Sequence, residues 1–472
     1  MGEGCPRGWR PVRRARLRGG ALALGCALLV TACAGGTEPE PAPRAKAGSA
    51  ASAVPLLPVP HGKGSRLAAR GDDFNGDGLR DLVLDDLVHD GHGDDAGIGI
   101  AYGVRGGLPD VRARQLLDPA EQAAPTAGEL PAAFDAAARC DLDADGFTDL
   151  VVATDPPYDG VGRPPVPLQL LFGSPDGLTG KAVKLAVPAA ARYGNEWSDQ
   201  PVCGDFDGDG GADLVVHASN ARISFLRGPF AQSGARRGAP RSGTLLPAPG
   251  TVLRGPARDV NGDGRDDLVV HASGGTARSS LALGGPAGPT RTGSAFPAGR
   301  DVVFGRFGRG EALDAAVAGE RRVGLRYDVG AAGAGRGTGT GTGSGRGAPS
   351  GRGALDVRAA ALRTGDLDGD GRTELVVGTG GPKGPYVFRG ARRSAVPRTG
   401  AEGTRDVLAV ADFDGDGLDD LVVRTHSGGA KDEVAVFRGT KNGLAARPAR
   451  TFSTAAFVPA AADEGGTTGG TE

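Results

Sequence analysis

Six copies of one acidic nine-residue loop, D-x-[DN]-x-D-G-x-x-[DE], stand along this chain of 472 residues. They are Asp73, Asn75, Asp77, Gly78, Asp81; Asp141, Asp143, Asp145, Gly146, Asp149; and Asp205, Asp207, Asp209, Gly210, Asp213. The later three are Asp259, Asn261, Asp263, Gly264, Asp267; Asp366, Asp368, Asp370, Gly371, Glu374; and Asp412, Asp414, Asp416, Gly417, Asp420. Carboxylates this dense repel one another unless a cation lies among them. An all-oxygen donor set suits a hard divalent ion, and Ca2+ better than Mg2+, which demands tight octahedral geometry and keeps its waters. Positions 1, 3 and 5 can point inward, glycine at position 6 supplies the sharp turn, and position 9 closes the shell. Position 7 can offer a carbonyl, so its side chain varies: Leu79, Phe147, Gly211, Arg265, Arg372 and Leu418. The expectation is about six bound Ca2+ ions, one per loop.

An EF-hand needs a carboxylate at position 12. Here that position is Leu84, Val152, Val216, Val270, Val377 and Val423, each inside a β-like run such as DLVV. These loops therefore join strand to strand. Metal-free Asp/Gly turns are the plainer alternative, and six copies in one register argue against it. A seventh copy, residues 305–314, is broken: Arg306 and Gly308 replace the first two ligands and only Asp314 keeps its place. It reads as a repeat that kept its fold and lost its ion, so Asp314→Ala is expected to cost much less than Asp209→Ala.

The seven repeats start near residues 73, 141, 205, 259, 306, 366 and 412, a spacing of 46 to 68 residues that points to a propeller or solenoid. Each has a further strand-like run: IGIAYG (98–103), LQLLFG (168–173), ISFLRG (223–228), LALGG (281–285), VGLRYD (323–328), YVFRG (386–390) and VAVFRG (434–439). Three lead into a Gly-Leu turn, at Gly107-Leu108, Gly177-Leu178 and Gly443-Leu444. About four short strands fit in each repeat, which is the unit of a radially repeated blade. The fold class expected is all-β, a seven-bladed β-propeller with calcium loops in six blades.

The acidic loop and the Y/F-G-x-x-x-G-L turn resemble the FG-GAP repeat of integrin α-chains and the VCBS repeat, over residues 63–456. The resemblance implies a seven-bladed propeller. Integrins carry fewer ion-binding blades than the six read here, and no integrin leg or membrane helix follows, so integrin partners are not carried over.

Residues 1–32 read as a lipoprotein signal peptide. Arg10, Arg13, Arg14, Arg16 and Arg18 precede an apolar stretch too short to span a bilayer. The stretch ends in Val30-Thr31-Ala32-Cys33, similar to a bacterial lipobox, which implies lipidation of Cys33 and an extracytoplasmic protein anchored to the cell membrane. Residues 33–62 read as a flexible tether, 330–353 as a disordered insertion and 457–472 as a disordered tail. Net charge is -2, which gives no footprint for nucleic acid. Cys140 and Cys203 precede consecutive loops by one and two residues. They form a disulfide, or stay as two buried thiols because the unequal offsets turn them to opposite sides.

Candidate chemistry outside the loops is thin. His217 and His271 sit at equivalent places in VVHAS, which speaks for strand-end structure. The cluster from Asp85 to Asp95, with His89 and His92, could bind a transition metal or be a solvated loop. No G-x-S-x-G, H-E-x-x-H or P-loop stands in the chain, and Trp197 is the only tryptophan after the leader. The reading is a monomeric, non-catalytic binding or adhesion module at the cell surface, with a protein or glycan ligand. Contact is expected through loops opposite the ions, including 85–96, 154–166 and 329–353. A surface hydrolase or lyase acting on polysaccharide or phosphodiester, and a purely structural envelope protein, are the alternatives.

Overall fold

Each apolar run behind an acidic loop is the second strand of a small antiparallel sheet. The computed structural model describes residues 60–64, 71–88, 97–104, 107–192, 197–232, 237–272, 278–308, 310–330, 352–429 and 431–458. Among the described residues blade 1 has three strands, Leu82–Leu84, Ile98–Ala101 and Arg114–Leu117. Blade 2 is Phe134–Cys140, Asp149–Thr154, Leu168–Leu171 and Val183–Lys184. Blade 3 is Val202–Gly204, Asp213–Ala218, Arg222–Arg227 and Ser242–Pro247. Blade 4 is Val252–Arg258, Asp267–His271, Arg278–Leu283 and Arg291–Ala298. Blade 5 is Val302–Gly305, Asp314–Ala318, Val323–Arg326 and Arg352–Leu355. Blade 6 is Ala361–Gly365, Glu374–Gly378, Tyr386–Arg389 and Arg392–Ala395. Blade 7 is Thr404–Ala411, Asp420–His426, Glu433–Phe437 and Arg450–Ser453.

The second strands are apolar throughout because both of their faces are covered. In blade 2, Leu150 and Val152 pack toward blade 1, while Val151 and Ala153 pack toward blade 3. In blade 3, Leu214 and Val216 face blade 2 and Val215 faces blade 4. Strand alternation thus splits each DLVV run between two interfaces. Seven apolar clusters result, one between each pair of neighbours. The seventh joins Val422 of blade 7 to Leu82 and Leu84 of blade 1 and closes the ring. Arg424 Nη1 reinforces that closure by donating to Asp85 O at 2.9 Å. Burying each Val or Leu contributes about 1.5–3 kcal/mol, so ring closure is a hydrophobic process. The chain is a seven-bladed β-propeller.

Back-to-front blade packing also settles the two cysteines, which form a disulfide with Cα atoms 6.2 Å apart. A side chain on the rear face of blade 2 meets one on the front face of blade 3. The one-residue offset that seemed to separate the thiols is what brings them together.

All acidic loops connect first to second strands and share one face of the ring. Loops between second and third strands, including 154–166, lie on the opposite face. The insertion does not. It leaves Val323–Arg326 and enters Arg352–Leu355, and Arg326 pairs with both Ala315 and Arg352 beside the broken loop. Its ends therefore lie on the loop face, which corrects the sequence expectation for 329–353.

The body is also longer than 63–456. Pro60 O accepts from Asn75 Nδ2 (2.8 Å) and Gly62 N donates to Asn75 O (3.0 Å), so this end of the expected tether covers the first loop. Phe457 is buried against blade 1. The expected leader, Cys33, residues 89–96 with their histidines, and most of the insertion and tail lie outside the described residues.

Candidate metal centres

The six loops are wound alike. The position 1 carboxylate accepts amides from positions 5 and 6, as Asp141 does from Asp145 (3.1 Å) and Gly146 (2.9 Å). Position 3 accepts from position 5, and position 5 from position 7, as in Asp143 to Asp145 (3.3 Å) and Asp145 to Phe147 (3.0 Å). Two residues per loop are left-handed, at positions 4 and 6, for example Gly76 (φ 67°) and Gly78 (φ 85°). A Cβ on Gly76 would also meet the ring of Phe147, the next blade's position 7, at 2.4 Å. Loop 2 has Ala144 (φ 62°) at position 4, and its neighbour's position 7 is Gly211, which has no side chain to clash.

In loops 2, 3, 6 and 7 the carboxylates at positions 1, 3 and 9 have oxygens within 4.8 Å of one another, a spread that one ion with ligands at about 2.3–2.6 Å can span. The groups are Asp141, Asp143, Asp149; Asp205, Asp207, Asp213; Asp366, Asp368, Glu374; and Asp412, Asp414, Asp420. Loops 1 and 4 carry an amide at position 3. There Asn75 and Asn261 accept from Asp77 N (3.3 Å) and Asp263 N (2.9 Å) in the same way. Buried oxygens of Asp368 and Asp414 (Oδ2) accept no hydrogen bond, although an arginine nitrogen stands 2.7 and 3.0 Å away off the bonding line. Burial, with repulsion from loop neighbours, pushes Asp149 up to about 9, Asp143, Asp213, Glu374 and Asp420 to about 7, and Asp267 to about 6. Such carboxylates take a proton or a cation, and the donor set fits a hard divalent ion.

Position 9 has a second task that the spacing did not reveal. Its two oxygens accept the amide of position 2 and the amide of the glycine after the third strand. Asp149 takes Leu142 (2.7 Å) and Gly173 (2.9 Å); Asp420 takes Phe413 (3.1 Å) and Gly439 (3.0 Å). In the broken loop of blade 5, Asp314 accepts instead from position 3, Gly308 (2.6 Å), and from Asp328 after the third strand (2.8 Å).

Position 8 was missed altogether. Asp266 Oδ2 accepts from Asp205 N (2.9 Å) while its own amide donates to Asp205 O (2.8 Å). Thr148 clasps Asp73, Thr373 clasps Arg306, and Asp419 clasps Asp366 in the same way. Each joins one loop to the first residue of the preceding one, so the loops also hold the blades together. A polar residue just before position 9 was the available signal. Asp266→Ala is expected to cost about 1 kcal/mol, read as a lower urea midpoint; an unchanged midpoint would show that the clasp is idle.

Arginines enter three loops from the end of the third strand. Arg389 pairs with Asp368 and Asp370 (both 2.7 Å), Arg438 with Asp414 (3.0 Å), and Arg227 with Asp207. The equivalent residues are Tyr102, Phe172 and Leu283 in loops 1, 2 and 4. Arginine hydrogen bonds, from Arg241 and Arg389, hold Asp209 and Asp370 below the usual carboxylate range.

The ring and its acidic loops define a class: a β-propeller with carboxylate turns between its first and second strands. Residues 141–216 match the FG-GAP-like repeat and residues 406–441 the FG-GAP repeat, so the chain contains repeats of the FG-GAP type. No curated protein matches the sequence. Solved structures with a similar fold include the Photorhabdus luminescens Tc holotoxin pore (14% identity, TM-score 0.35, 82% of this chain), of which the match spans only 14%. A second is an Agrocybe aegerita lectin recognising non-reducing terminal N-acetylglucosamine (13%, TM-score 0.32, 61% of this chain and 87% of the lectin). A third is BBS1N in complex with ARL6DN (13%, TM-score 0.38, 71% of this chain and 87% of that one). Among the described residues no helix is long and apolar enough to cross a membrane.

Proposed function

We propose that this protein is an exported propeller, anchored through lipid on Cys33, that holds about six Ca2+ ions and serves as a non-catalytic binding module for a protein or glycan. The metal reading is supported by carboxylates packed closely enough, and buried deeply enough, to favour a bound cation. In each loop positions 1, 3, 5 and 9 would supply side-chain oxygens, and position 7 its carbonyl. The ions would be structural, since they sit at blade junctions.

One observation carries the binding role. On the face opposite the loops, Tyr158 (38% exposed) stands edge-on to Trp197, ring centres 5.7 Å apart, with Val161 (77% exposed) beside it in the same loop. Exposed aromatic groups of this kind are favoured at binding surfaces. His217, next to Asp199 (3.2 Å), underlies the patch. The test is a screen of cell-wall glycans and proteins against the purified chain, with elemental analysis of the same sample. Binding that falls at least tenfold in Tyr158→Ala and Trp197→Ala is the expected result. Ligand returned chemically altered would replace the module with an enzyme, and a sample without stoichiometric calcium would remove the metal.

The arginines divide the six sites. A guanidinium already paired with position 3 competes with the ion, so the loops of blades 3, 6 and 7 should bind calcium more weakly than those of blades 1, 2 and 4; in blade 4 Arg291 reaches only position 5, Asp263, at 3.3 Å. Arg389→Met is expected to tighten its site about tenfold, or roughly 1.4 kcal/mol, in calcium titration calorimetry. Six identical sites, unchanged by the substitution, would refute the division.

A further inference from the structure

Blade 5 has lost its acidic loop, and the position of the first acid is taken by a cation. Positions that hold carboxylates elsewhere are Arg306, Gly308 and Gly310 here. A cavity of about 490 Å³ opens beside this loop, between the loops of blades 4 and 6. Arg258 and Arg306 both line it. Arg258 ends the first strand of blade 4, where blades 2, 3, 5, 6 and 7 have Cys140, Gly204, Gly305, Gly365 and Ala411. A long cation there is peculiar to this junction.

Neither guanidinium is neutralised by a carboxylate partner among the described residues. Arg258 Nη1 donates to a carbonyl, Phe304 O, at 3.2 Å. Arg306 is exposed and only its backbone is bonded, to Thr373. Arg258, like Arg306, is exposed, so both guanidinium groups are open to a ligand in the cavity that they line. Of the two acids that line the cavity, Asp259 is committed to its own loop, accepting from Gly262 (2.7 Å), Asp263 (3.1 Å) and Gly264 (2.9 Å). Glu311 is exposed. Gly262, Gly330 and Gly371 line the walls and leave room.

Two like charges that line one cavity are stabilised by an anion between them. The planar fork of arginine matches carboxylate and tetrahedral oxyanions alike. The volume falls in the range of small-ligand pockets. We propose that the cavity between Arg258 and Arg306 binds an oxyanion group, carboxylate or sulfate-like, carried by a small ligand. This site lies on the loop face, away from the Tyr158 patch, and uses no calcium ligand's side chain for the anion. It stands whether or not the metal reading does.

The experiment is calorimetric titration of the full chain with sodium sulfate and, separately, with glucuronate, at low ionic strength. The expected result is one saturable site per chain for at least one of them. Sulfate alone would identify a tetrahedral oxyanion, glucuronate alone a carboxylate. Arg306→Glu and Arg258→Met should each weaken binding at least tenfold. Arg393→Met, at an exposed arginine stacked on Tyr386 (4.9 Å), should not. Because Arg306 is exposed, its variant should keep the wild-type melting curve, which separates lost binding from lost fold. No saturable binding of either anion, or equal weakening by Arg393→Met, would overturn the proposal.

Discussion

Removing calcium is expected to lower the melting temperature at pH 8 by about 10 °C, with a loss that shrinks as the pH falls toward 5. One site at ten times its dissociation constant adds about 1.4 kcal/mol, and six add about 8 kcal/mol. For a body of this size that is a shift of about 10 °C. The pH dependence follows from the loop carboxylates. Asp143, Asp213, Glu374 and Asp420 titrate near 7 and Asp149 near 9 in the folded, metal-free protein, against about 4 in the unfolded chain. Folded-state values above the unfolded ones mean that the folded protein holds protons more tightly. Their contribution is fully present below about pH 4 and is lost as the pH rises through 7 to 9. Metal-free protein is therefore more stable at pH 5 than at pH 8. With calcium the slope reverses, because protons compete for the same oxygens. Melting curves of dialysed and calcium-loaded protein at pH 5, 6.5 and 8 test both slopes. Superimposed curves at pH 8 would rule out ions as part of the fold.

Much of this architecture was legible in the residues. Six loops in one register gave the repeat, and the apolar run behind each gave the second strand. The run is uninterrupted because positions 10 and 12 face one neighbour and position 11 the other, as Leu150, Val152 and Val151 do. What stayed hidden was whatever depends on how one blade meets the next. The side of the ring on which residues 329–353 emerge follows from strand order, which composition does not encode. The cysteine pair looked mismatched because alternation was counted as if both strands belonged to one sheet. The clasp at position 8 is a contact between residues 61 positions apart, Asp205 and Asp266.

The same loop chemistry reverses the expected order of cost at the broken repeat. Counting ligands gives Asp314 little to do, since arginine and glycine replace the acids around it. Counting amides gives the opposite. Asp314 is 2% exposed and is the acceptor for Gly308 N and Asp328 N, the bonds that fix the turn to its third strand. Alanine there strands two donors, each worth about 1–3 kcal/mol when left unsatisfied, so Asp314→Ala should cost about 3 kcal/mol or more without changing the calcium count. Asp209, by contrast, is exposed and paired with Arg241 (2.6 Å) at the surface. In chelator, Asp209→Ala should fall within about 1 kcal/mol of the parent, since a surface pair contributes that much or less; its effect appears only with calcium, as one ion fewer. Urea unfolding of both variants in EDTA decides the order. If Asp314→Ala unfolds at the parent midpoint, position 9 is a ligand and nothing else. If it is the more damaging of the two, its carboxylate is first a part of the blade, and metal binding is built on a turn that folds without it.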